Sequence, residues 1–154
     1  MKKLGNVIKS NGLRYLPTTC YHISMLKQFL VTLTTFLVID GVWLTLIAKD
    51  FYAKHLGFLM AKTPNLAAAG IFYLIYVLTL VVLIISPALQ KGSLQTAILT
   101  GALFGLCAYA TYDLTNLATI KDWPLLVTVV DLIWGTVLSG SVAGISYLIL
   151  MKWQ

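Results

Sequence analysis

The chain contains no glutamate, so every acidic side chain among its 154 residues is one of five aspartates. Charge of either sign is scarce: 10% of residues are charged and 59% are hydrophobic, far from the balance of a water-soluble domain. Cysteine is reduced to Cys20 and Cys107, one in the polar N-terminal stretch and one in the middle of an apolar run, which excludes a disulfide framework and a cysteine-based zinc site. The two histidines, His22 and His55, are remote from each other and from both cysteines. Neither a nucleophile elbow nor a glycine-rich phosphate loop is present, and there is no His-rich ligand set, so the sequence implies no cofactor and no metal. The net charge of +6 is not gathered on one basic face, which argues against a nucleic-acid partner. It fits contact with the anionic headgroups of membrane lipids.

What the chain has in abundance is long apolar runs. Four of them approach or exceed twenty residues, at 29–48, 66–88, 96–119 and 125–150. A core helix of a soluble protein would show polar residues on one side, and these runs carry almost none. The expected fold is therefore all-α, an integral membrane four-helix bundle. Short connections at 87–95 and 120–124 force consecutive helices to be antiparallel neighbours. Two units are expected: a basic polar tail at 1–27, and a single four-helix transmembrane domain at 28–154. Met25, just before Lys27 and the first run, is an alternative start that would make the tail an artefact.

The first connection, "KDFYAKHLGFLMAKTPN", spaces Phe51, Tyr52, Leu56, Leu59 and Met60 as a helix would, with Lys54 and Lys62 between them. Such a segment is expected to lie at the membrane surface, rings at headgroup depth and lysines in water. Pro64 and Asn65 make a turn or cap into the second helix. In the last connection, Asp122 is the candidate cap of the fourth helix, Pro124 suits its first turn, and Trp123 is an interfacial anchor. Counting Lys and Arg beside the helices gives seven on the side of the tail, Lys91 and Lys152, and four on the side of Lys49, Lys54, Lys62 and Lys121. Both termini are then cytoplasmic, although a start at Met25 would remove that bias.

Three of the five aspartates fall inside apolar runs, where an ionisable group costs at least about 2.5 kcal/mol on insertion scales and ordinarily faces the bundle interior. At about 1.5 Å of rise per residue, Asp40 lies roughly 12 Å from the Ala48 end of its helix. Asp113 lies roughly 9 Å from the Thr119 end, and Asp131 roughly 9 Å from Leu125. Those three ends face one side, so the aspartates are expected in one layer. Tyr109 and Asn116 share a helical stripe with Asp113, and Tyr73 reaches a similar depth from the second helix. Trp43 and Trp134 each follow an aspartate by three residues and are expected as two walls of one pocket. Mutual repulsion should leave the carboxylates sharing a proton near neutral pH. The bland alternative is a structural latch, with aspartates bonded to Asn116, Tyr109 or a backbone carbonyl. Gly101 with Gly105, Gly135 with Ser139, and Gly140 with Gly144 are small-residue pairs suited to close helix packing.

"YDLTNLATIKDWPLLVTVVDLIWGT", with "DGVWL" after the first run and "PNLAAAGIFYLIY" opening the second, resembles a family of small bacterial inner-membrane proteins, domain of unknown function 2177. The resemblance covers about residues 26–150. It implies a four-helix protein of the bacterial cytoplasmic membrane and no particular activity. Three functions remain open on the residues: proton- or cation-linked transport or small-ligand binding, completed by a homodimer; an enzyme acting on a lipid-like substrate; and an accessory subunit docking another membrane protein.

Overall fold

The computed structural model describes residues 18–153, with side chains from Met25 onward. The basic residues before position 18, and with them most of the expected tail, lie outside the described residues. The described residues form helices joined by short connections, without strands. Helix α1 (Thr18–Val42) passes into a π-helical turn (Trp43–Ile47), followed by the short α2 (Lys49–Leu56). Helix α3 (Leu66–Leu80) continues through a second π turn (Val81–Ile85) into α4 (Ser86–Lys91), and α5 (Leu94–Thr119) and α6 (Leu125–Met151) complete the bundle. Four stretches are long and apolar enough to cross a membrane: Met25–Ile47, Leu66–Lys91, Leu94–Thr119 and Leu125–Met151. Leu37, Val38, Leu74, Leu83, Leu103 and Ile133 point outward, as a lipid-facing surface requires.

Two boundaries differ from expectation for identifiable reasons. Residues 87–91, read from sequence as the start of a loop, are helical. Pro87 lacks the amide that would bond to Leu83, and the wide turn just before it, closed by Ser86 N–H to Val81 C=O, takes up the misfit. The helix ends instead at Gly92, whose φ of +62° is the left-handed conformation, with Ser93 N–H donating to Ala88 C=O at 3.1 Å. Ser93 at once caps α5, its hydroxyl accepting from Thr96 N–H at 3.1 Å, so α5 starts two residues earlier than the hydrophobic run. Asn65 caps α3 as expected, accepting from Ala68 N–H at 3.1 Å.

Asp122, the candidate cap of α6, caps nothing. It adopts a left-handed φ of 60°, and Pro124 holds the N-cap position without a side-chain bond. The reversal here is tight enough to need a left-handed residue, which aspartate tolerates. Trp123 turns inward rather than anchoring at the surface, its indole N–H donating to Thr128 Oγ1 at 3.0 Å and its ring meeting Tyr112 edge-on.

The core is built from Phe36 on α1, Val77 and Leu80 on α3, Val81 and Ile85 on the second π turn, and Leu138 and Val142 on α6. The closest packing runs along α5 and α6. A methyl group on Gly101 would meet Ala143 Cβ at 2.7 Å and Ser139 C=O at 2.8 Å, and one on Gly105 would run into the Gly135 carbonyl. These helices touch backbone to backbone because small residues alone let them do so, in a solvent that supplies no hydrophobic drive for helix association. The close approach also fixes Asp113 on α5 relative to Asp131 on α6.

Candidate functional site

Asp40, Asp113 and Asp131 are 5%, 0% and 8% exposed, each turned into the bundle from a different helix. Two of the three have hydroxyl donors. Tyr73 on α3 donates to Asp40 Oδ2 at 2.9 Å, and Tyr52 on α2 donates to Asp131 Oδ1 at 2.5 Å. The third has none: both oxygens of Asp113 are buried without a hydrogen bond. Asp113 lies close enough to Asp131 for their charges to interact, and Tyr52 senses both carboxylates. Tyr109 is within electrostatic reach of Asp40 and Asp131.

Trp43 and Trp134, read from sequence as two walls of one pocket, meet each other directly. Their indoles stack, with centroids 4.2 Å apart and planes inclined by 10°. The reason is the π turn that begins at Trp43 and is closed by Ala48 N–H to Trp43 C=O at 2.8 Å. The extra residue in that turn shifts the side-chain directions that a regular helix would give. Trp43 Nε1 then points at the Tyr52 hydroxyl, 3.4 Å away. Trp134 Nε1 approaches the Asp40 carboxylate without closing a hydrogen bond and is otherwise unpaired. Asp40, Trp134, Trp43, Tyr52 and Asp131 thus form one connected arc, with Asp113 beside its Asp131 end.

Tyr109 packs its ring on Gly135, where no side chain could replace the hydrogen. Asn116, half-buried one turn beyond Asp113, does not bond to it. Of the latch considered for the aspartates, Asp113 makes no bond to Asn116, Tyr109 or a backbone carbonyl, while Asp40 and Asp131 are bonded by Tyr73 and Tyr52.

Two contributors escape a reading by sequence. Tyr76, one turn inward of Tyr73, has its hydroxyl 2.7 Å from Ser139 Oγ and extends the polar layer toward the core. Its spacing of three from Tyr73 was the available signal. Tyr52 is the larger omission. Placed at headgroup depth by its amphipathic segment, it instead turns inward and closes over Asp131. Burial first, and then the bond to Asp131, push its phenol above the ordinary tyrosine value.

Among the described residues, no group of three or more His, Cys, Asp or Glu side chains is placed to hold a metal ion. The arrangement offers acidic oxygens, hydroxyl donors and stacked indole faces in a setting without bulk water, which suits the capture of a proton or a small cation. Comparison with curated proteins and with solved structures returns no match. A family model described as "Predicted membrane protein (DUF2177)" matches residues 25–148, nearly the whole of the four-helix unit and every residue of the arc, and the chain belongs to that family.

Proposed function

We propose that the chain binds a proton or a small cation at Asp113 and couples that binding to transport across the bacterial inner membrane. The observation that carries this reading is a fully buried carboxylate with neither oxygen hydrogen-bonded, in a layer where the other two aspartates each have a donor. A buried charge without a partner is strongly disfavoured, and an intramembrane carboxylate in that condition marks an ion or proton pathway. Asp131 adds negative potential beside Asp113, while Tyr52 and Tyr73 hold the flanking carboxylates in place. Four helices are few for a private pathway through one chain, so a second copy of the chain is the partner that completes a route. Counted along the sequence, seven Lys and Arg belong to the side of the termini and four to the other, which supports cytoplasmic termini and an acid layer nearer the outer face.

The test is proton movement in proteoliposomes under an imposed gradient. Wild-type protein is expected to carry protons or to exchange them for an added cation, and Asp113→Asn is expected to abolish this. Equal flux through both proteins would overturn the proposal.

A further inference from the structure

Among the described residues, Tyr52 links the acid layer by a hydrogen bond to the chain outside the spans. No residue of α2 is fully buried, Phe51, Tyr52, His55 and Leu56 are half-buried, and the helix packs on the π turn that precedes it. The helix is flanked by that turn on one side and by exposed residues 57–65 on the other. The side-chain hydrogen bond that ties it to the bundle is the phenol's, to Asp131 Oδ1 at 2.5 Å, with Trp43 Nε1 approaching at 3.4 Å. Behind the phenol lie Asp131 and the unpaired Asp113.

We infer that α2 is a lid over the acid layer, with Tyr52 as its latch and the π turn Trp43–Ile47 as its hinge. Tyr52 is a positioning residue: it acts through Asp131 and controls which side chains water can reach. A cation arriving at Asp131 competes for the oxygen that holds the latch, so entry and lid release are one event. The π turn suits a hinge because narrowing its wide hydrogen-bond ring to a regular helical turn would rotate the segment beyond it, α2, while α1 before it stays in place. The inference rests on the proposed function only in taking Asp113 and Asp131 as the groups a ligand must reach.

The experiment uses the full chain in lipid nanodiscs. A spin label at Lys54→Cys, an exposed position of α2, is read in a background with Cys20→Ser and Cys107→Ser. In parallel, a water-soluble carbodiimide with an amine nucleophile labels accessible carboxyls, and peptide mass spectrometry reports Asp113 separately. In Tyr52→Phe, the spin label should become mobile and labelling of Asp113 should rise about tenfold, the shift expected on losing one hydrogen bond to a charged group. Amide exchange in α5 and α6 should stay as in wild type. An unmoved spin label overturns the lid, and so does a mobile label with Asp113 still protected. If Tyr52→Phe fails to fold, Asp131→Asn weakens the same bond from the acceptor side and is read identically. Transport assays on these variants separate the two proposals. A lid that opens without any proton movement overturns the transport function alone; a lid that stays shut while Asp113→Asn abolishes flux overturns the lid alone.

Discussion

Trp43 and Trp134 lie ring on ring, 4.2 Å between centroids, although 91 positions separate them in the chain. Two indoles so close and so nearly parallel couple their electronic transitions. The circular dichroism of the folded protein should therefore show a paired positive and negative band, lost in Trp43→Leu and equally in Trp134→Leu. Loss in neither variant would mean that the signal comes from another pair, such as Tyr112 with Trp123. Each substitution should also lower stability by about 0.5–1.5 kcal/mol beyond the area lost, the usual contribution of an aromatic pair.

That stack marks the limit of what the sequence discloses. The four spans were legible because an apolar run of twenty residues has one common meaning, and the depth of each aspartate followed from the fixed rise of a helix. Direction around the helix was legible only while the helix stayed regular. Nothing in "WLTLI" announces a π turn, since it contains neither glycine nor proline, whereas "VVLII" is followed two residues on by Pro87. The turn at Trp43–Ile47 changes where Trp43 points and carries α2 over the layer, and Tyr52 arrives with it. A tyrosine on a short amphipathic segment has the same pattern whether its hydroxyl meets headgroups or a carboxylate. Sequence therefore singled out the three buried aspartates without singling out the tyrosine bonded to Asp131.

The Tyr52 phenol lies outside the four spans and is pushed above its ordinary value, by burial and then by its bond to Asp131. Because the neutral form is the one held in the folded protein, the contribution of this group is fully present below the ordinary tyrosine value of about 10. It is lost as pH rises through the higher folded value. The tyrosinate absorbance of wild type minus that of Tyr52→Phe should thus titrate above the ordinary value. The spin label on α2 should stay immobile through neutrality and loosen only in alkali. A difference curve centred at the ordinary value would place Tyr52 in water, away from Asp131.

Gly105 sits where α5 and α6 touch, and any side chain there would run into the Gly135 carbonyl. Gly105→Ala should lower stability by about 1–3 kcal/mol, the usual cost of overpacking a close-fitted site. Gly70→Ala is the control, since a methyl group at that position on α3 meets nothing within 4 Å. Thermal unfolding in mild detergent should separate them, with Gly70→Ala unchanged or slightly raised because alanine is the better helix former. An equal fall in both would remove the small-residue seam as the reason these helices pack so closely.

Replacing buried aspartates by valine should have opposite effects on stability at two sites, and this distinguishes an ion site from a structural latch. At Asp131 the change removes the acceptor of Tyr52 and leaves a phenol unpaired, a loss of about 1–3 kcal/mol. At Asp113 no bond is lost, because none is made. The change there removes a carboxyl group that is costly at this depth and fills its place with an apolar side chain. Asp113→Val should therefore unfold at the same temperature as wild type or higher, while proton movement in proteoliposomes disappears. Stability sacrificed at one residue and recovered only by abolishing activity is the mark of a group kept for its chemistry. If Asp113→Val instead falls as far as Asp131→Val, Asp113 has a structural partner, and the case for it as the binding group fails.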